Sequence, residues 1–385
     1  MRGNNQKNSN IMIKTAIFTS IIIFLLCFIV ILCIAFSSDD TYEIENNGER
    51  YGKSEFYKYK DKIYVLVIGS GMLEVEGVDI PTFKVFDKDK EDERENVGFD
   101  KNKIYFGNIA IPDLDPNKLE VIGNGYYTDG ITTYFCSSLS ERNKDLSTPM
   151  EILQSLMYSF SKTKKPQTYI YPYKKVETTN KLIAVKDLYY FATDGEKVYY
   201  KGEILENADL NTLKSVDGYN EYFADKENVY YKSKLLPIKN SGKLMVISAE
   251  QGDKFLYDEA NGYVFIEDYS FDREKAPYKV IGNNGNHLYN LAFVNNEGIY
   301  YYDDQEKKQL KAGDNIFIGN VEELSPNVFT DDKNIYYFHA YDVWKRYKNA
   351  GDVLFSQNTE ICYLDKKDGW EKVKDIRGGI IGAIW

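Results

Sequence analysis

The order of apolar and polar positions divides the chain into one short uniform stretch and one long patterned stretch. No charged residue occurs from Thr15 to Ser38. At 1.5 Å per residue the apolar run inside it is long enough, as a helix, to cross a bilayer core of roughly 30 Å. Arg2, Lys7 and Lys14 precede this run and Asp39, Asp40, Glu43 and Glu45 follow it, an asymmetry that places the N-terminus in the cytoplasm. The run is longer than the h-region of a cleaved signal peptide, about 7–15 residues, although Ala35-Phe36-Ser37 offers a small-x-small cleavage site. The expected organisation is a cytoplasmic tail over 1–14, an uncleaved transmembrane signal-anchor over 15–38, a polar linker over 39–58 and a periplasmic or extracellular ectodomain over 59–385.

Beyond residue 98 the pattern repeats. The copies are FDKNKIYF from Phe99, YTDGITTYF from Tyr127, TDGEKVYY from Thr193, ADKENVYY from Ala224, VNNEGIYY from Val294 and TDDKNIYY from Thr330. With Asp100, Asp129, Asp194, Asp225, Asn295 and Asp331 in register, the fifth position on is always tyrosine: Tyr105, Tyr134, Tyr199, Tyr230, Tyr300 and Tyr336. The sixth is always aromatic, as Phe106, Phe135, Tyr200, Tyr231, Tyr301 and Tyr337. Weaker copies stand at Asp258 with Tyr263 and Asp365 with Trp370, so the steps from Asp194 onward are 31, 33, 37, 36 and 34 residues. A second element accompanies the first: DIPTFKVF from Asp79, DPNKLEVI from Asp115 and DLNTLKSV from Asp209 share Asp, a large apolar residue four on and another apolar residue seven on.

Each unit reads as a β meander. Asp or Asn bonds its own backbone two residues on and starts a hairpin turn. The strand that leaves the turn begins with Ile or Val and continues into the aromatic pair. Neighbouring strand residues face opposite sides, so paired aromatics require both faces of the sheet to be covered, as stacked repeats would do. The predicted fold is an all-β tandem repeat of about 33-residue, three-stranded units. Three strands are fewer than the four of a propeller blade, which favours an open or superhelical array over a closed ring. One step, Asp129 to Asp194, spans 65 residues. There Thr148 as cap, Pro149 in the first turn and Glu151 as a capping box predict a helix near 148–162. Its apolar residues Ile152, Leu153, Leu156, Met157 and Phe160 share one face, suited to plugging the repeat core or to docking a partner.

The units DKNKIYF, DKENVYY and DDKNIYY, with the D-x-x-x-[LF] element, resemble the DKNNYY family of bacterial repeat proteins over most of residues 60–370. The resemblance implies a repeat fold and carries no activity with it. Gly262 and Gly369 depart from the pattern by standing where the β-branched residue belongs.

Composition narrows the function. Aromatics make up 15%, led by 34 Tyr, and such content belongs to folded chains. Residues 39–385 carry 45 Lys and Arg against 59 Asp and Glu, a net charge of -14, which disfavours nucleic acid and anionic lipid as partners. Cys27 and Cys33 lie in the apolar run, leaving Cys136 and Cys362 as the only candidates for a long-range disulfide. With His287 and His339 as the only histidines, a multi-histidine metal site is ruled out. No nucleophile-base motif or nucleotide fingerprint stands in a suitable context, so neither catalytic residues, cofactor nor metal is expected. Turn aspartates could hold calcium, a carboxylate pair could serve a hydrolase, and the tyrosines could stack on sugars. The leading expectation is a non-enzymatic, membrane-tethered scaffold that presents an extended surface to a protein partner in the cell envelope; a glycan or cell-wall binding module is the alternative.

Overall fold

A computed structural model describes residues 17–30, 40–86, 96–161, 164–178, 180–249, 252–281, 292–303, 306–315, 317–325, 328–340 and 359–365. The chain forms two compact units, Met1–Ile204 and Leu205–Trp385. Both are built from the same part, an open antiparallel sheet of four strands joined in chain order. Eight such sheets occur among the described residues. They span 49–74, 84–111, 120–175, 183–205, 214–239, 244–270, 279–313 and 322–365, and are called here the first to the eighth sheet.

The fifth sheet shows how the sequence builds the part. Its strands are β1 (Lys214–Val216), β2 (Tyr219–Ala224), β3 (Asn228–Tyr231) and β4 (Lys234–Lys239). Asp217 and Gly218 join β1 to β2 with φ of 50° and 72°. Such a two-residue turn matches the right-handed twist of a hairpin and calls for residues that tolerate positive φ. Asn124 and Gly125 do the same in the third sheet, with φ of 55° and 82°. This turn creates a strand that the three-stranded prediction lacked, because the apolar end of the D-x-x-x-L element is itself the first strand. Four strands per unit equal those of a propeller blade, so strand count gives no reason to prefer an open array over a ring.

Successive sheets within each unit share cores. Phe106 of the second sheet packs on Tyr127 and Tyr134 of the third, with ring centroids 5.4 and 6.2 Å apart. Val216, Tyr222 and Val229 of the fifth join Leu256 and Phe265 of the sixth. Phe255 of the sixth meets Phe293 of the seventh at 5.3 Å. Both members of each described aromatic pair are buried: Tyr105 and Phe106, Tyr134 and Phe135, Tyr199 and Tyr200, Tyr230 and Tyr231, Tyr300 and Tyr301. Each such side chain contributes about 1.5–3 kcal/mol through removal from water, and this fixes which strand residues recur.

The 65-residue step is a single sheet with an insertion. The last strand of the third sheet, Tyr173–Lys175, returns to pair with Thr133–Cys136, setting Tyr173 opposite Cys136 and Lys175 opposite Tyr134. Between them a small ladder pairs Glu141 with Ile170 and Arg142 with Tyr169, and beyond it stands the helix Thr148–Ser161. The helix does not plug the core, since none of its residues is buried. Glu151 makes no capping box either: it pairs with Arg142 and accepts a hydrogen bond from the Thr168 hydroxyl.

At the N-terminal side, residues 17–30 are helical with exposed apolar side chains. The rest of 15–38 lies outside the described residues, among which no helix is long and apolar enough to cross a membrane. The polar stretch 39–58 contributes a short helix, Thr41–Asn47, and strands Glu49–Arg50 and Phe56–Tyr59 of the first sheet, with Ile44 buried against it.

Candidate functional site

The recurring chemistry of the chain lies at the turn between the second and third strands of the second to eighth sheets. In the fifth sheet one Asp225 carboxylate oxygen, Oδ1, accepts the backbone N–H groups of Glu227 and Asn228 at 2.7 and 2.6 Å. This closes the turn before β3. Oδ2 faces the other way and accepts the backbone N–H of Asp209 at 3.0 Å and the Tyr230 hydroxyl at 3.2 Å. Asp209 opens the D-x-x-x-L element, so one carboxylate binds a turn, a tyrosine five residues on and the segment that leads into the sheet.

The second sheet repeats the arrangement. Asp100 Oδ1 accepts from the backbone of Asn102 and Lys103, and its Oδ2 accepts from the Asp79 backbone at 2.8 Å and the Tyr105 hydroxyl at 2.9 Å. Asp194 receives the Tyr199 hydroxyl at 2.8 Å and, from its lead-in segment, the Thr178 hydroxyl. Asp129 holds the Asp115 backbone N–H, while its tyrosine, Tyr134, is buried without a bond to it. Asp331 takes the Ile318 backbone N–H through Oδ2 and that of Lys333 through Oδ1. In the degenerate sixth sheet Asp258 receives the Ser241 hydroxyl. The period of the sequence is thus the period of a bond between lead-in segment and turn.

The one Asn in the series follows from what it faces. Asn295 Oδ1 closes its turn on Glu297 and Gly298, but its Nδ2 donates to the Lys275 carbonyl at 2.9 Å. The lead-in segment presents an acceptor here, which a carboxylate would repel. The cost falls on Tyr300: its hydroxyl is buried with no hydrogen-bond partner.

Residues absent from the sequence reading reinforce the clip. Lys101 pairs with Asp79 at 2.6 Å and Lys226 with Asp209 at 3.4 Å. Thr82 and Thr212 accept the backbone N–H groups of Lys101 and Lys226 through their hydroxyls. The signal was present in DIPT and DLNT, where Thr follows Asp by three.

Electrostatics fit a structural role. Burial pushes the carboxyl groups of Asp100, Asp129 and Asp225 upward, but the N–H donors aimed at them outweigh it and hold each below the ordinary range. Asp194 is lowered in the same way. Tyr105 and Tyr230 are raised by burial and by the adjacent carboxylate. Donors on both oxygens are the opposite of a cation site, which needs free lone pairs. Among the described residues no group of three or more His, Cys, Asp or Glu is placed to hold a metal. Cys136 is a free, buried thiol, held protonated by burial, with the Asn96 amide 3.7 Å from its sulfur. His287 and Trp370 lie outside the described residues, as does the acidic stretch from Asp87. The strands carrying Tyr336, Tyr337, His339, Cys362 and Asp365 are described in their backbone alone.

Two surface cavities, of about 190 and 140 Å³, fall below the roughly 300–1,000 Å³ of small-molecule sites. The first is lined by Asp40, Lys62, Tyr64, Glu74 and Tyr158 among others, and the second by Tyr219, Glu221 and Tyr231 among others.

Fold and clip together define a tandem array of four-stranded β units stapled by turn aspartates. The model of the DKNYY family matches residues 56–234, from the second strand of the first sheet into the fifth sheet. No curated protein and no solved structure matches the chain.

Two predictions follow from the clip. Tyr105→Phe removes a hydroxyl bound to a carboxylate and should cost about 1.5–3 kcal/mol in urea unfolding, whereas Tyr300→Phe removes an unsatisfied one and should be neutral or stabilising by up to about 1 kcal/mol. Equal costs for the two would refute the assignment. The second concerns pH. The aspartates have folded pKa values below their unfolded value near 3.9, so their contribution is present above pH ~4 and lost as pH falls through the folded values. The tyrosines have folded values above their unfolded value near 10, so theirs is present below pH ~10 and lost as pH rises beyond it. The urea midpoint should be flat between these limits and fall on both sides; an acid arm that stays flat down to pH ~2 would contradict the aspartate half.

Proposed function

We propose that this chain is a non-enzymatic, membrane-tethered repeat scaffold that presents its surface to a protein partner in the cell envelope. The observation that carries the reading is that the repeated residues are consumed internally. Turn aspartates spend both oxygens on the fold, and the aromatic pairs spend their rings on the cores between sheets. What recurs therefore builds the units, and what varies between units is left on the outside for recognition. Burial of Tyr200, Tyr231 and Tyr301 weakens the glycan alternative, because a stacked sugar needs an exposed ring.

The tether in this reading is the uncharged run Thr15–Ser38 as a single transmembrane helix, N-terminus in the cytoplasm and repeats outside. The -14 charge of residues 39–385 steers toward basic or neutral partner surfaces.

Retention of the detergent-solubilised full chain on isolated envelope, before and after protease treatment of the envelope, tests the function. Loss of retention after protease is expected. Retention that survives protease and is abolished by free cell-wall sugars would overturn the protein partner in favour of the glycan reading.

A further inference from the structure

The helix Thr148–Ser161 is built inside out. Its protein-facing side is polar: Glu151 engages Arg142 and Thr168, and the Tyr158 hydroxyl donates to the Asp40 carboxylate. Its outward side is apolar, with Met150, Leu153, Met157 and Phe160 exposed by 47, 49, 51 and 72%. These four positions follow 3–4 residue spacing and so form one stripe. A soluble surface helix has the reverse polarity, and nothing in the packing of the third sheet requires this one.

What the stripe meets follows from where it is held. Asp40 lies two residues beyond Ser38, the end of the uncharged run, and two residues reach at most about 7 Å. The Tyr158–Asp40 bond therefore pins the helix beside the point where the chain leaves the bilayer. In sequence the helix is followed by Lys162, Lys164 and Lys165, a basic run in an otherwise acidic ectodomain, with Lys164 paired to Glu76 at 3.0 Å. An apolar stripe flanked by lysines at the membrane boundary is the composition of a helix lying in the lipid interface.

We propose that this helix is an interfacial foot: its stripe inserts into the outer face of the same bilayer that holds residues 15–38, and sets the orientation of the first unit relative to the membrane. The inference rests on the tether of the preceding section. It would give the first unit two membrane contacts, one spanning and one in plane, so that this unit stands at a fixed angle instead of swinging on a single helix.

The test places a solvatochromic amino acid at Phe160 in the full chain, reconstituted in phosphatidylglycerol/phosphatidylcholine vesicles with or without brominated acyl chains. A second probe at Ile131, 85% exposed in the turn of the third sheet, serves as control. Expected are a blue shift at position 160 and loss of its emission with brominated lipid, with position 131 unaffected. A blue shift without quenching by brominated lipid would assign the stripe to a protein or a second copy and overturn the proposal. Alkaline extraction of the same vesicles separates the failures. An unquenched probe on a chain that resists alkali overturns the foot alone; an unquenched probe on a chain that alkali releases overturns tether and foot together. The triple variant L153S/M157S/F160S should keep the parent melting temperature, since these side chains support nothing in the fold, while its liposome-bound orientation becomes sensitive to protease at lead-in segments the parent protects. Loss of stability in that variant would mean the stripe is core, and would also overturn the proposal.

Discussion

From the second sheet onward the repeat depends on a turn side chain, in most units a carboxylate, that serves two segments at once. An aspartate in a tight turn satisfies its first oxygen locally, on the N–H groups two and three residues on. The second oxygen then faces inward, and a buried anion without donors would cost several kcal/mol. The chain supplies them from the tyrosine of the next strand and from the backbone of the lead-in segment. A four-stranded sheet of about 26 residues has little core of its own, so fastening its beginning to its middle is what lets so short a unit keep one register.

The same constraint explains where the repeat tolerates change. Thr178 or Ser241 replaces the backbone donor in the fourth and sixth sheets without loss of the bond. Where the lead-in segment offers a carbonyl instead, the residue becomes Asn295 and the Tyr300 hydroxyl is left unpaired. Insertion is tolerated after the third strand, because the clip is already complete there. The third sheet uses that freedom to carry the helix Thr148–Ser161 and then resumes with Tyr173–Lys175.

Much of this could be read from the residues, because period and polarity are properties of the sequence. The turn aspartates, the two-sided burial of the aromatic pairs and the D-x-x-x-L partner element all follow from residues set in register. The fourth strand did not, since Asp217-Gly218 and Asn124-Gly125 are short hairpin signals hidden inside a longer repeat. The first sheet carries no repeat signature because Lys60 and Asp61, with φ of 46° and 55°, make a two-residue turn where the others have an Asp or Asn clip. The helix stands where the sequence puts it, and of its two readings the core plug fails while docking stays open: an apolar stripe looks the same in sequence whether it faces a core or leaves it. Only the contacts of Glu151 and Tyr158 tell the two apart.

The measurement that bears most directly on the clip is a double-mutant cycle between Asp225→Ala and Tyr230→Phe, read by urea unfolding. Losses of turn and backbone bonds common to both arms cancel, leaving the carboxylate–hydroxyl coupling. A coupling of about 1–2 kcal/mol is the result the account predicts. Additivity within about 0.5 kcal/mol would mean the two residues act independently, and the repeat would then be held by its aromatic cores alone.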